Sequence, residues 1–286
     1  VVFGPKVDLQ VSLDQDTVLP GETVEATIRI VGGRTDLKIQ EGRLELLFEN
    51  EYTYRHRAGS GSTRRTKEST RTYRADVESV RFLEAGHVAA DTPYEATASL
   101  TVPADAVPSA EGEITKVRWR VVATLAKPHA MDIHRRAPLT VLSRGGAPLD
   151  APEVETRDDV ELSFRLDREH FGPGDSLQGT LVATPLQACG ANEMRVELVR
   201  RENVPRNEGN TKEVAEATAI LESDVSLSLG APREWPFQLQ LPAVVVPCLK
   251  TEHSRVTWLL KGIGSRRLRR DYRITQPIDV HTAPRV

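Results

Sequence analysis

Val7-Asp-Leu-Gln-Val-Ser-Leu-Asp-Gln-Asp-Thr-Val-Leu-Pro-Gly-Glu-Thr-Val24 lies without a gap over Val160-Glu-Leu-Ser-Phe-Arg-Leu-Asp-Arg-Glu-His-Phe-Gly-Pro-Gly-Asp-Ser-Leu177. In both stretches the apolar residues alternate strictly, Val7, Leu9, Val11 and Leu13 against Val160, Leu162, Phe164 and Leu166. Strict alternation puts one face of a strand in a core and the other in water, and the Pro-Gly pair then turns the chain. Each stretch therefore reads as a half-buried strand running into a turn, and the chain as a duplication.

Working outward, Arg43–Leu47 pairs with Arg195–Val199 and Val117–Val121 with Val256–Leu260, so that Trp119 and Trp258 fall at equivalent places. Pro103 and Pro242 precede these tryptophans, and Asp132, Pro138 and Val141 have their partners in Asp271, Pro277 and Val280. The spacing between copies shortens after the second pair, which places the extra residues of the first copy between Tyr52 and Leu100. Gly145, Gly146, Pro148 and Pro152 mark an exposed linker. The expected division is residues 1–142, a linker at 143–155, and residues 156–286.

The segments Val7–Leu13, Thr23–Val31, Arg43–Glu49, Glu95–Val102, Lys116–Thr124 and Pro138–Leu142 alternate in the first half, separated by Gly, Pro, Asn and Asp. No segment keeps helical apolar spacing over several turns. The expected fold is all-β, two tandem antiparallel β-sandwiches with Trp119 and Trp258 as core anchors.

At 39% hydrophobic and 28% charged residues the chain can build ordinary cores, and a net charge of -3 gives no overall attraction to nucleic acid. Its longest apolar run, Leu241–Leu249, is too short to span a bilayer and holds two prolines. The two cysteines, Cys189 and Cys248, make no disulfide framework, and no basic-then-apolar leader precedes Val7, so a cytoplasmic location, peripheral to the membrane at most, is the expectation.

The stretch from Thr101 through Pro108, Glu111-Gly112, Trp119 and Lys127-Pro128 to Pro138-Leu-Thr-Val141 resembles the signature of the arrestin-fold family, as does the opening Asp14 to Pro20-Gly21-Glu22. In that signature a Pro-rich approach and a Glu-Gly step lead to an aromatic-centred strand, a Lys-Pro turn and a final strand. The second half lacks the Glu-Gly step and the Lys-Pro turn. Among arrestin-fold proteins the chain looks most like the bacterial sporulation-control relatives and the arrestin-domain-containing adaptors. The resemblance implies a non-enzymatic scaffold or adaptor that binds other proteins in cytoplasmic regulation, with sporulation or stress as its setting. Gln10, Val11 and Ser12 stand where receptor arrestins carry a lysine pair, and no Pro-Pro-x-Tyr motif occurs, so neither phosphate sensing nor ligase recruitment carries over.

Catalytic groupings and cofactor fingerprints are missing from the sequence. His129 and His134 around Asp132 fit no strong metal template. Asp14, Asp16 and Glu22, with Asp167, Glu169 and Asp175 at the same places in the repeat, are ordinary turn acids as readily as calcium ligands. The expectation is no catalytic residue, no metal and no cofactor.

Charge does gather in two places. Arg55, Arg57, Arg64, Arg65, Lys67 and Arg71 surround Gly59-Ser-Gly-Ser62 in a hairpin whose strands are expected at Glu51–Arg57 and Thr70–Val77. Arg266, Arg267, Arg269 and Arg270 form the second cluster. Either cluster is a solvated edge that keeps strands from pairing, or a surface for an acidic or phosphorylated protein or an anionic membrane. An extracellular adhesive or carbohydrate-binding sandwich is the competing function class, though 5% aromatic residues supply few sugar platforms.

Overall fold

Alternation becomes strand along most of the chain. The computed structural model describes residues 7–59, 65–146, 149–155 and 159–283, and no helix occurs among them. The first repeat runs β1 (Asp8–Leu13), β2 (Thr17–Val18), β3 (Thr23–Val31), β4 (Leu37–Ile39), β5 (Glu41–Ala58), β6 (Arg65–Leu83), β7 (Gly86–Val88), β8 (Pro93–Thr101), β9 (Ala110–Glu111), β10 (Thr115–Ala126) and β11 (Ile133–Val141). The second runs β12 (Glu153–Glu155), β13 (Val160–Leu166), β14 (His170–Phe171), β15 (Ser176–Pro185), β16 (Cys189–Val204), β17 (Asn210–Leu227), β18 (Arg233–Gln240), β19 (Leu249–Lys250), β20 (Arg255–Ser265) and β21 (Tyr272–Val280).

The two repeats build the same pair of sheets. A three-stranded sheet has the order β1-β3-β8 in one and β13-β15-β18 in the other. The larger sheets run β2-β11-β10-β5-β6, with β9 on β10, and β12-β21-β20-β16-β17, with β14 on β21 and β19 on β20. A small β4-β7 pair has no counterpart among the described residues of the second repeat. The strands of the basic hairpin are longer than alternation suggests: β5 passes through Asn50 without a break, and Asn50, fully buried, donates to the Lys116 carbonyl at 3.2 Å.

Two compact units result. One takes in Val1–Tyr52, Thr70–Glu111 and Lys116–Leu142; the other takes in Thr53–Ser69, Gly112–Thr115 and Ser143–Val286. Two short pieces of the first repeat therefore belong to the second unit.

In the first unit Val24, Ala26, Ile28 and Ile30 of β3 are wholly buried, and Trp119, Val121 and Leu139 of the larger sheet are buried with them. In the second, Leu177, Leu181, Val196, Leu198, Trp258 and Leu260 do the same. The tryptophans are equivalent in detail: Trp119 Nε1 donates to the Val107 carbonyl at 2.9 Å and Trp258 Nε1 to the Val246 carbonyl at 2.8 Å, each twelve residues back along the chain. A buried indole needs such a partner.

The turn that opens each repeat is also copied. Gly21 and Gly174 have φ of 86° and 70°, a conformation that explains the glycine in both. The acid that follows accepts the N–H three residues before it, Glu22 from Leu19 at 2.7 Å and Asp175 from Gly172 at 2.8 Å. These carboxylates are consumed by the turn.

Candidate partner-binding surface

Arg55 and Arg57 of the hairpin lie against neighbouring acids. Arg55 Nε lies 3.1 Å from Glu68 Oε1, and Arg57 Nε lies 3.4 Å from Glu208 Oε2, which extends from the β16–β17 turn. Glu208 also gives its N–H to the Arg55 carbonyl at 3.2 Å, and Asn210 Nδ2 donates to the Thr53 carbonyl at 3.0 Å. The end of β5 is thus stitched to the β16–β17 turn by backbone and side chain together. Arg65, Lys67 and Arg71 are exposed on β6, while Arg64 lies outside the described residues. Tyr52 and Tyr54 point inward and Tyr73 is exposed, so the aromatic residues are divided between buried and exposed positions.

Arg266 differs from its neighbours. Its guanidinium lies 4.0 Å from the centroid of the Tyr272 ring, donates to Asp159 Oδ2 at 2.7 Å and to the Tyr272 hydroxyl at 3.0 Å, and through Nε reaches the Arg270 carbonyl at 2.8 Å. Tyr272 is buried and also donates to Asp159 at 2.8 Å. Burial, followed by the hydrogen bond to Asp159, pushes the Tyr272 phenol far up. With 12% of its side chain exposed, Arg266 holds the turn together, whereas Arg267, Arg269 and Arg270 stand out from it.

Asp271 Oδ1 closes this turn by accepting the Arg266 N–H at 3.2 Å, as Asp132 accepts the Lys127 N–H at 3.3 Å in the first repeat. His134 meanwhile bonds Thr124 Oγ1 through Nδ1 at 3.0 Å. Asp132 and His134 therefore have separate structural partners, and no group of three or more metal-ligating side chains gathers among the described residues.

One charged group escapes any reading of the sequence. Glu202 on β16 is wholly buried, and its carboxylate accepts three successive N–H groups, from Glu113 at 2.9 Å, Ile114 at 2.8 Å and Thr115 at 3.1 Å. Arg200 reaches the same carboxylate and is itself held by Glu216 at 2.9 Å. Successive N–H groups in a turn make an anion-binding nest, and buried charge is tolerated where such donors surround it. Gly112 opens the nest, which accounts physically for the Glu-Gly step of the sequence. Glu111, the other half of the step, pairs with Arg118 at 2.9 Å and keeps that guanidinium firmly protonated.

At the equivalent place in the second repeat stands Thr251, whose Oγ1 accepts the N–H groups of His253 at 3.0 Å and Ser254 at 2.9 Å. A side chain within the turn supplies there what Glu202 supplies to the first. Thr115 and Ser254, themselves equivalent and both in the second unit, share a hydrogen bond of 2.6 Å.

Residues 5–145 match the family described as Arrestin (or S-antigen), C-terminal domain. The crystal structure of Spo0M, the sporulation control protein from Bacillus subtilis, is similar at 17% identity and a TM-score of 0.35, over 64% of this chain and 68% of that one. Among curated proteins none matches the chain.

Proposed function

Because this chain belongs to the arrestin-fold family through residues 5–145, we propose that it is a non-enzymatic adaptor that binds an acidic, extended segment of another protein along the edge of β6. The observation that carries this reading is the edge itself. β6 ends the order β2-β11-β10-β5-β6, and no further strand pairs with its outer side among the described residues. Natural sheets shorten or cover their edges, because a long free edge offers backbone groups to any strand that arrives. A partner that adds a strand uses this template, and side chains then set which partner it is.

Charge makes the choice. From Arg65 to Arg74 the strand carries Arg65, Lys67, Arg71 and Arg74 against Glu68 alone, with Arg74 paired to Glu49 at 2.7 Å and Glu68 to Arg55 at 3.1 Å. Beyond Val77, the Glu78 side chain accepts the Thr101 N–H at 2.5 Å. The corresponding edge of the second repeat, β17, carries Asp224 and the acids Glu213, Glu216 and Glu222, which are paired with Arg201 and Lys261, Arg200, and Arg233, and its pairing with β16 is broken by irregularities at Met194/Arg195 and Leu198/Val199. The bulges deter a strand there, and the edge offers no excess of positive charge to draw an acidic one.

A photo-crosslinking residue at Tyr73 tests the reading in native lysate, with one at Ile220 on β17 as the control. The expected result is a discrete adduct at position 73 that is lost with Lys67→Glu/Arg71→Glu while the fold is kept. An adduct indifferent to this charge reversal, or equal labelling at both positions, would overturn it.

A further inference from the structure

We infer that one end of the second unit, formed by the turns at 186–188, 228–232 and 266–271, docks on an anionic lipid bilayer. Strand register brings the turns together. Cys189 at the start of β16 pairs with Leu227 at the end of β17, and Glu193 pairs with Ser265 at the end of β20. The three turns therefore leave the sandwich at the same end. An open concavity of about 470 Å³ lies between the first and third of them, walled by Gln187, Ala188, Asn192, Arg266, Arg267 and Arg269 and by the end of β17.

The apolar residues on these turns face water. Leu186, Leu229 and Leu268 are 49%, 68% and 98% exposed, and they are all the exposed leucines among the described residues. Scattered single apolar residues need no explanation, but three leucines on three adjacent turns form a set. Leu268 contributes least to the fold: it touches almost nothing, and its φ of 61° is one that a glycine or asparagine would adopt at lower cost. The fold would be served better by either. A leucine held there acts outside the fold.

Arginine surrounds these leucines. Arg267, Arg269 and Arg270 are exposed, while the turns at 186–188 and 228–232 carry no charge. Of the nearby acids, Asp159 is engaged by Arg266 and Tyr272, and Asp271 by the Arg266 N–H and Arg273. Asp224 lines the concavity. The rim is positive on balance.

An acidic peptide would satisfy the arginines and leave the leucines in water, because the leucines sit on separate tips and line no common groove. The boundary between lipid headgroups and acyl chains accepts both kinds of side chain at once. A bilayer therefore fits these observations better than a peptide does.

The test uses the full chain with vesicles of phosphatidylcholine alone and vesicles that also contain phosphatidylglycerol. Sedimentation should retain the protein on the second kind only, less so as salt rises. Arg267→Gln/Arg269→Gln/Arg270→Gln should weaken retention by about fivefold per arginine. Leu186→Ser/Leu229→Ser/Leu268→Ser should weaken it on the order of tenfold or more at unchanged charge. Leu268→Trp adds a local reporter, whose emission should shift to the blue on the anionic vesicles. No retention on phosphatidylglycerol overturns the inference. So does retention that depends on arginine but is indifferent to the leucines with no shift at position 268, which would mean adsorption by charge alone.

Discussion

Gly112 lies so close to Glu202 that a Cβ added to the glycine would stand 2.6 Å from carboxylate oxygen Oε2 and 2.7 Å from the Thr115 carbonyl. The missing side chain is what admits the carboxylate to the three N–H groups beneath it. Gly112→Ala should therefore destabilise the protein by about 1–3 kcal/mol, as overfilling a packed site does. Urea unfolding monitored by tryptophan fluorescence measures it. A shift below a few tenths would show that the turn can open without cost.

Removing the carboxylate should cost more than crowding it. Glu202→Ala leaves Arg200 buried without one of its acids and three N–H groups without an acceptor, and about 3–5 kcal/mol is expected from breaking a buried pair. Thr251→Val, which removes the corresponding acceptor in the second repeat, should cost only about 1–2 kcal/mol because its two donors and acceptor are neutral. The ratio between these two losses, from paired denaturation curves, is the sharper measurement.

Trp119→Ala and Trp258→Ala should each cost about 3–5 kcal/mol through the cavity left behind. Trp→Phe at either site retains much of the volume but strands the Val107 or Val246 carbonyl, so a smaller loss of about 1–3 kcal/mol should persist. Unequal responses at the two sites would mean that the repeats are less alike energetically than in geometry.

Burial pushes the Cys248 thiol up to about 11 from an ordinary 9.0. Above pH 9 the unfolded chain loses this proton while the folded protein keeps it, so the contribution to stability is intact below that pH and declines as pH rises toward 11. Alkylation should accordingly mark Cys248 in urea and spare it in the native protein at neutral pH. Rapid native labelling at the half-buried Cys248, mapped by mass spectrometry, would show that its thiol is not held up in this way.

Glu222 accepts the Trp235 indole N–H at 2.7 Å and is paired with Arg233 at 2.7 Å, and these hold its carboxyl below the ordinary 4.5. Because the folded value is the lower one, the pair is intact above the unfolded value and is lost as pH falls through the folded one. The Trp235 indole resonance should titrate with a midpoint below 4.5, and Glu222→Gln should abolish that titration.

The repeat was legible because a strand needs only alternation and its turn only a glycine, both local properties. Val24 to Ile30 and the Gly21 and Gly174 turns show this directly. Charge was legible as sign but not as partnership. In the run Arg200-Arg201-Glu202 nothing distinguishes the buried Glu202 from an exposed neighbour, since its donors lie at residues 113–115. Arg266 likewise reads as one more free cation beside Arg267, although packing on Tyr272 has already committed it. The break in alternation near Asn50 shortened the expected hairpin strands for the same reason, because the partner of Asn50 is a distant carbonyl.

The two nests also differ in when they can form. Thr251 satisfies donors two and three residues away, so its turn can close as soon as that segment exists. The turn at Gly112 must wait for a carboxylate 87 to 89 residues further along the chain. Contacts of long sequence separation form late because closing the intervening loop costs entropy before any contact rewards it. During synthesis the turn at Gly112 is thus made early and held open until β16 has left the ribosome. Duplication has kept the shape of the turn while tying the completion of one copy to the arrival of the other.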